Sequence, residues 1–135
     1  MTITLDALRM DLGHLADHEV VVFGSYATGA STPRSDVDVA ILTRCRERSV
    51  NEETWWRLLG TAPDAYDLRV FELLPIHIQV EIARHHIVVF GDAREIANYF
   101  HPVHRRWGDV RHRYHKPLPT RERLSRLAGA ASRRT

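Results

Sequence analysis

The order of apolar and polar positions along the chain predicts alternating helices and strands. An amphipathic first helix is predicted from leucines that recur at helical spacing with charged residues between them: Leu5, Leu8, Leu12 and Leu15. The β-branched run over 20–23 ends at Gly24, which is typical of a strand covered on both faces. A second strand is predicted over 36–42, where acidic and apolar residues alternate before an apolar end. The small residues over 25–32 predict a short helix between these strands.

The middle of the chain has a weaker pattern. Residues 44–53 are charged and aperiodic, which predicts a loop. A helix is predicted over 53–59, with three large apolar residues partly buried: Trp55, Trp56 and Leu59. Strands are predicted over 66–71 and 87–90, with a helix beginning at Pro75 between them.

The last predicted helix begins near Asp92, which is a suitable N-cap residue. Its apolar positions are Ile96, Tyr99, Val103, Trp107 and Val110. Pro102 lies inside this pattern and is expected to kink or split the helix, because proline cannot donate the backbone hydrogen bond.

Together these elements predict a small α/β (α+β) domain, a mixed sheet with helices mainly on one face. The 135 residues provide enough length for one core, and we assign that domain to residues 1–115. Residues 116–135 contain two prolines, many arginines and few large apolar groups. They are therefore expected to form a basic tail that is at least partly disordered.

The net charge of +2 is unevenly distributed. Residues 1–100 carry nine arginines against fifteen acidic residues, whereas residues 101–135 carry ten basic residues against two acidic ones. Such a basic segment can contact an acidic face of a protein partner, bind RNA phosphates, or remain a solvated helix. The protein partner is preferred, because few aromatic residues are interleaved for base stacking.

Two further features of the composition restrict the class of protein. No apolar run approaches the roughly 20 residues that span a bilayer, and the start of the chain lacks a signal-peptide pattern. The single Cys45 cannot form an internal disulfide. We expect a soluble, cytoplasmic protein without a membrane partner. Four histidines in the basic region are interleaved with arginines, which disfavours a metal site there: His101, His104, His112 and His115.

Asp36 and Asp38 are the first candidates for chemistry. On a strand, residues two positions apart project from the same face, so these carboxylates are expected to lie close together. A bound cation relieves their repulsion, and oxygen ligands without nearby cysteine favour magnesium or manganese over zinc. At the preceding strand end, Gly24 and Ser25 begin a short helix whose N–H groups suit a phosphate.

A third carboxylate is needed to complete a two-metal site. Asp67 begins the third strand and is our choice, whereas Asp64 lies in a loop and Glu72 lies at the far end of that strand. Two metals about 3.5 to 4 Å apart can stabilise both the attacking and the leaving oxygen of a phosphoryl displacement.

The segments Gly24-Ser25-Tyr-Ala-Thr-Gly29 and Ser35-Asp36-Val-Asp38-Val39 resemble the signature of DNA polymerase β-like nucleotidyltransferases. In size the chain resembles the minimal nucleotidyltransferase (MNT) branch, whose members act as antitoxins beside HEPN-domain toxins. The resemblance implies that Asp36, Asp38 and Asp67 are the catalytic residues and metal ligands. It also implies that the nucleotide is bound by three small residues: Gly24, Ser25 and Ser35.

This resemblance implies a function as well. We expect transfer of AMP from ATP, with two Mg²⁺ ions, to a hydroxyl group. The implied acceptor is a tyrosine of a cognate HEPN ribonuclease toxin, which the chain would inactivate as an antitoxin. One departure is Thr28 where the family commonly has arginine; Arg34 could take its place. Three alternatives remain open: an antitoxin that acts by binding alone, transfer to a small molecule, and transfer to an RNA end.

Overall fold

The computed structural model describes residues 4–29 and 36–113. Helices and strands follow one another in the predicted order: α1 Leu5–Asp11, β1 Glu19–Phe23, α2 Ser25–Thr28, β2 Val37–Leu42, α3 Arg48–Leu58, β3 Tyr66–Val70, α4 Ile76–Arg84, β4 Ile87–Phe90 and α5 Ala93–Val110. Three short 3₁₀ turns are interspersed: Gly13–Leu15, Phe71–Leu73 and Arg111–Arg113. Ser35, Arg34, His115 and the predicted tail over 116–135 lie outside the described residues.

The four strands form one mixed sheet in the order β3-β2-β1-β4. Strand β1 is antiparallel to both β2 and β4, whereas β2 and β3 run parallel. The short connection through α2 therefore joins sheet neighbours, as the sequence predicts. Because β2 pairs on both sides, its residue Asp38 lies opposite Phe23 of β1 and opposite Asp67 of β3.

Apolar clusters cover both faces of the sheet. On one face, the buried leucines of α1 and the following turn pack against alternate strand residues such as Val20 and Val39. On the other face, α4 and α5 pack against Val21, Ala40 and Leu42. Burial on both faces explains why the central strands are almost continuously apolar. The predicted α+β architecture with a small mixed sheet is confirmed.

Helix α3 corrects the prediction of a loop over 44–53, because it begins at Arg48. Its inward-facing residues are polar: Asn51 is 2% exposed and Thr54 is also buried. The Asn51 amide donates to the Cys45 carbonyl at 3.0 Å and accepts from the Thr43 hydroxyl at 2.5 Å. Since these buried positions are satisfied by hydrogen bonds, the helix has no apolar stripe for periodicity to detect.

Two residues in or directly after this helix are exposed although they were expected to be partly buried. Trp56 is 67% exposed and Leu59 is 47% exposed, so the prediction was wrong for both. Trp55 is half-buried as predicted, and its indole N–H donates to the Leu68 carbonyl at 2.9 Å. This hydrogen bond from Trp55 attaches helix α3 to β3.

Helix α5 begins as predicted and continues past its proline. The Asp92 side chain accepts from the Glu95 N–H at 3.0 Å and caps the helix. The helix is not split at Pro102, because buried residues on both sides of it hold the helix on the sheet: Ile96, Phe100, Val103 and Trp107. Pro102 lacks the N–H that would bond to the Asn98 carbonyl one turn earlier. Among the described helices, none is long and apolar enough to cross a membrane.

Candidate functional site

Gly24 joins β1 to α2 beside the carboxylate of Asp38. Its backbone has φ of 71° and ψ of −149°, a region that is essentially restricted to glycine. A Cβ at this position would collide with Asp38 Oδ2. The position therefore requires glycine for two independent reasons. The predicted proximity of the Gly24-Ser25 turn to the acidic strand is present in the structure.

Helix α2 begins directly at Ser25 and spans one turn. The Gly24 carbonyl accepts from the N–H groups of Ala27 and Thr28 at 3.1 and 3.2 Å. The N–H groups at the start of a helix lack intrahelical acceptors and attract negative groups. Thr28 donates its hydroxyl back to the Gly24 and Ser25 carbonyls at 3.4 and 3.3 Å. Thr28 therefore stabilises the turn.

Asp38 and Asp67 are register partners on the parallel strands β2 and β3. Asp36 lies one position before β2 and is exposed. Burial raises the pKa of Asp38, the Asp67 and Asp36 carboxylates raise it further, and Arg69 opposes this. Asp38 thus lies in the negative field of both other candidate carboxylates.

Arg69 is a residue of this site that the sequence interpretation missed. It lies two positions after Asp67 on β3, so both side chains project from the same face. Its Nε atom lies 3.2 Å from Asp67 Oδ1, and its guanidinium lies 6.0 Å from the Trp55 ring centroid. The sequence signal that could have identified Arg69 was its alternation with Asp67 on a predicted strand.

The three carboxylates fit magnesium chemically, although they do not enclose an ion in this arrangement. Among the described residues, no three histidine, cysteine or acidic side chains converge closely enough to hold a metal. Yet Asp36, Asp38 and Asp67 supply the hard oxygen donors that Mg²⁺ prefers. The repulsion that raises the pKa of Asp38 is also what a cation would relieve.

Glu72 has a different role from these carboxylates. It lies beyond the other end of β3 and accepts four hydrogen bonds: from Thr43 N at 3.0 Å, Thr43 Oγ1 at 3.1 Å, Arg44 N at 3.0 Å and Tyr99 Oη at 2.5 Å. Burial raises the pKa of Tyr99, and the hydrogen bond to Glu72 adds to this shift. Glu72 therefore fixes the end of β2 to α5.

Arg44 completes this structural cluster. Its φ of 58° is unusual for a residue other than glycine. The guanidinium donates to both Glu19 oxygens at 2.5 and 2.8 Å and lies 4.6 Å from the Tyr99 ring centroid. Sequence reasoning did not find this cluster, because its members come from β1, the end of β2, the turn after β3, and α5.

Comparisons with known proteins place the chain in a family. Residues 4–92 match the profile of the nucleotidyltransferase domain. A relative from Methanocaldococcus jannaschii, named "putative protein adenylyltransferase", is 34% identical over 94 residues, covering 70% of this chain and 72% of the relative.

Solved structures share the fold at low sequence identity. A chain from a toxin–antitoxin crystal structure with AMP-PNP aligns with a TM-score of 0.55 and 15% identity, covering 80% of this chain and 93% of that one. A chain from a complex of tri-AMPylated Shewanella oneidensis HEPN toxin with MNT antitoxin aligns with a TM-score of 0.57 and 12% identity, covering 95% of this chain and 99% of that one. With the profile match and the archaeal relative, these findings establish that the chain belongs to the nucleotidyltransferase domain family.

Proposed function

We propose that this nucleotidyltransferase transfers AMP from ATP to a tyrosine hydroxyl of a HEPN-type toxin and thereby acts as its antitoxin. The observation that carries the proposal is the pairing of Asp38 with Asp67 beside the Gly24 backbone. The archaeal relative named for protein adenylyl transfer supports a protein acceptor. The fold shared with chains from toxin–antitoxin complexes supports the proposed partner.

In this proposal, Asp36, Asp38 and Asp67 hold two Mg²⁺ ions. Bound magnesium would neutralise triphosphate charge and the charge that develops during transfer. Gly24 permits close approach of the triphosphate to the backbone, and Ser25 offers its hydroxyl at the start of α2. Ser35 is expected to assist, as the family signature implies.

The chemical step moves the AMP group and one proton. The acceptor oxygen bonds to the α-phosphorus, and the bond from the α-phosphorus to the bridging oxygen breaks, so that pyrophosphate leaves. Asp67, which lies beside Asp38 at the exposed strand end, would accept the hydroxyl proton. A tyrosine modified in this way carries a bulky anionic group, which would inactivate a ribonuclease site near it. We expect the reaction in the cytoplasm.

The position of the transferred label tests the reaction class. The chain and magnesium are incubated with a candidate HEPN-type acceptor and with ATP labelled either at the α- or at the γ-phosphate. AMP transfer predicts protein-bound label from the α-position only, with release of pyrophosphate. Label from the γ-position would indicate a phosphotransferase instead, and no protein-bound label from either position would favour an antitoxin that acts by binding alone.

A further inference from the structure

A second concave surface lies at the opposite end of β2 from the carboxylates. This groove has a volume of about 990 Å³ and lies between the start of α3, the turn after β3 and the middle of α5. Arg44, which lines it, lies two residues beyond Leu42, the last residue of β2, and Leu42 follows Asp38 by four strand residues, roughly 13 Å. We call this surface the arginine groove; no step of the proposed reaction uses it.

The arginine groove carries excess positive charge. Four arginines line it: Arg44, Arg46, Arg48 and Arg106. Glu19 neutralises Arg44, and Glu52 pairs with the highly exposed Arg48. Among the described residues, Arg46 and Arg106 have no carboxylate partner. The single acidic residue of the lining, Glu72, keeps its negative charge because its hydrogen bonds come from neutral groups, so the lining retains an excess of one positive charge.

Between these arginines the lining includes apolar side chains. Leu73 and Leu74 are half-buried, and Pro75 and Pro102 are exposed. Asn98 also lines the groove, and its carbonyl lacks the usual helical donor because residue 102 is proline. Such a surface matches an acidic peptide segment with some apolar side chains and a free backbone N–H.

A protein segment fits this lining better than a nucleic acid does. Single-stranded RNA is held by aromatic faces on which bases stack. The aromatic rings of the lining belong to Phe71, which is buried, and Tyr99, whose face is covered by Arg44 at 4.6 Å. Phe71 therefore offers a base no stacking face, and one face of Tyr99 is blocked.

A small pocket links the arginine groove to the carboxylates. It measures about 130 Å³ and shares Leu73 and Leu74 with the groove. Its remaining lining residues are Trp55, Arg69 and Val70. Arg69 in turn contacts Asp67. A chain leaving the groove over the two leucines would therefore reach the acidic end of the sheet.

From these contacts we infer that the arginine groove docks an acidic segment of the acceptor protein and directs the modified residue to Asp67. This inference rests on the proposed transfer to a protein. Because β2 spans roughly 13 Å from Asp38 to Leu42, the modified hydroxyl is expected to lie at least about four extended residues from the docked acidic segment. The groove thus selects the acceptor, whereas the carboxylates at the other end carry out the transfer.

Cys45 provides a direct probe of groove occupancy. It lines the groove and is the single cysteine of the chain. Its alkylation by a bulky maleimide is followed by the intact mass of this chain, with and without a candidate HEPN-type acceptor protein. We expect that protein to slow alkylation at least tenfold. The protection should disappear in Arg46→Ala/Arg106→Ala and persist in a matched control with the same charge change outside the groove, Arg57→Ala/Arg105→Ala.

Kinetics of AMP transfer provide the second readout. The Arg46→Ala/Arg106→Ala variant should raise KM for the acceptor at least tenfold and leave kcat and ATP binding within twofold of wild type. Unchanged KM and undiminished protection in that variant would overturn the inference while leaving the transfer activity standing. Protection of Cys45 by a single-stranded RNA oligonucleotide, but not by the protein, would also overturn it. Protection by the protein without any AMP transfer would contradict the proposed function and retain the groove as its docking surface.

Discussion

Asp38 and Asp67 lie directly opposite each other on parallel strands, while the Gly24 backbone touches the carboxylate of Asp38 from the neighbouring antiparallel strand. This relationship brings a tight turn and two carboxylates together at one edge of the sheet. It also brings two negative groups into proximity, and the positive charge of Arg69 offsets their effect on the pKa of Asp38 only in part. We therefore expect the repulsion between these carboxylates to lower the stability of the metal-free fold, a cost that a bound cation would remove.

The first prediction concerns Asp38→Asn in metal-free buffer. Burial and the neighbouring carboxylates raise the pKa of Asp38 above its usual 3.8. The charged form is therefore disfavoured in the folded state, and the neutral amide should raise Tm by a few degrees at pH 7. Thermal unfolding across the pH range tests this.

The pH dependence provides the control for that prediction. Protonation removes the penalty for the charged Asp38 carboxylate in the folded state. The stabilising contribution of protonated Asp38 is therefore complete below its unfolded pKa, and it is lost as pH rises through the raised folded pKa. The advantage of Asp38→Asn should accordingly shrink as pH falls toward 3.8. An advantage of equal size at pH 3 and pH 7 would contradict the electrostatic explanation.

Gly24→Ala should remove transfer activity and destabilise the fold. A side chain at this φ costs on the order of 1 to 3 kcal/mol, and displacement of Asp38 by its Cβ should lower the transfer rate roughly 100-fold. Gly60→Ala is the matched control, because Gly60 also has a positive φ, 80°, but a Cβ there meets nothing within 4 Å. Urea unfolding and initial rates should show loss of stability in both variants and loss of activity in Gly24→Ala alone.

Local sequence was sufficient to predict that the Gly24-Ser25 turn lies beside the carboxylates of β2. The apolar run before Gly24, the alternation from Asp36 and the short connection between them determine which strands are neighbours, so the meeting of turn and carboxylates follows from pairing geometry. Ser35 belongs to the same signature but lies outside the described residues. Arg69 was missed because a charged residue on a strand end is usually solvated, and only the structure reveals its ion pair with Asp67.

Arg69→Gln should strengthen metal binding. The guanidinium occupies the Asp67 carboxylate that would serve as a ligand, and it places a positive charge near the cation. Removing that charge is expected to lower the Mn²⁺ dissociation constant on the order of 3- to 10-fold. Isothermal titration calorimetry at constant ionic strength measures this, with Arg57→Gln as the control for net charge. Weaker Mn²⁺ binding by Arg69→Gln than by the control would show that Arg69 supports the metal site.

Glu72→Gln should affect stability without affecting chemistry. The amide nitrogen would face donors such as Thr43 N or Arg44 N, so we expect a loss of about 2 kcal/mol in the free energy of unfolding. Well below Tm, kcat should remain within twofold of wild type. Glu53→Gln, at an exposed carboxylate of α3, should change neither quantity. A large fall in kcat for folded Glu72→Gln would assign this residue to the reaction.

The cluster around Glu72 marks where sequence-based prediction ends. Its four donors come from the end of β2 and from α5, which are far from Glu72 in the sequence. No local pattern therefore predicts the cluster. Helix α3 was misread for a different reason: its buried residues Asn51 and Thr54 are polar, and they are satisfied by hydrogen bonds to the nearby Cys45 and Val50 carbonyls. Hydrophobic periodicity detects helices that bury apolar residues, and it fails for a helix whose buried residues are polar and hydrogen-bonded.

The most direct measurement of the central claim is the intact mass of the HEPN-type acceptor after incubation with ATP and magnesium, comparing wild type with Asp36→Asn/Asp38→Asn. Size-exclusion chromatography on the same samples establishes whether the complex still forms. We predict that wild type adds AMP to the acceptor and that the variant binds it equally well but adds none. Equal AMP addition by the variant would contradict the assignment of these carboxylates, and equal neutralisation of the toxin without any AMP addition would contradict the catalytic account.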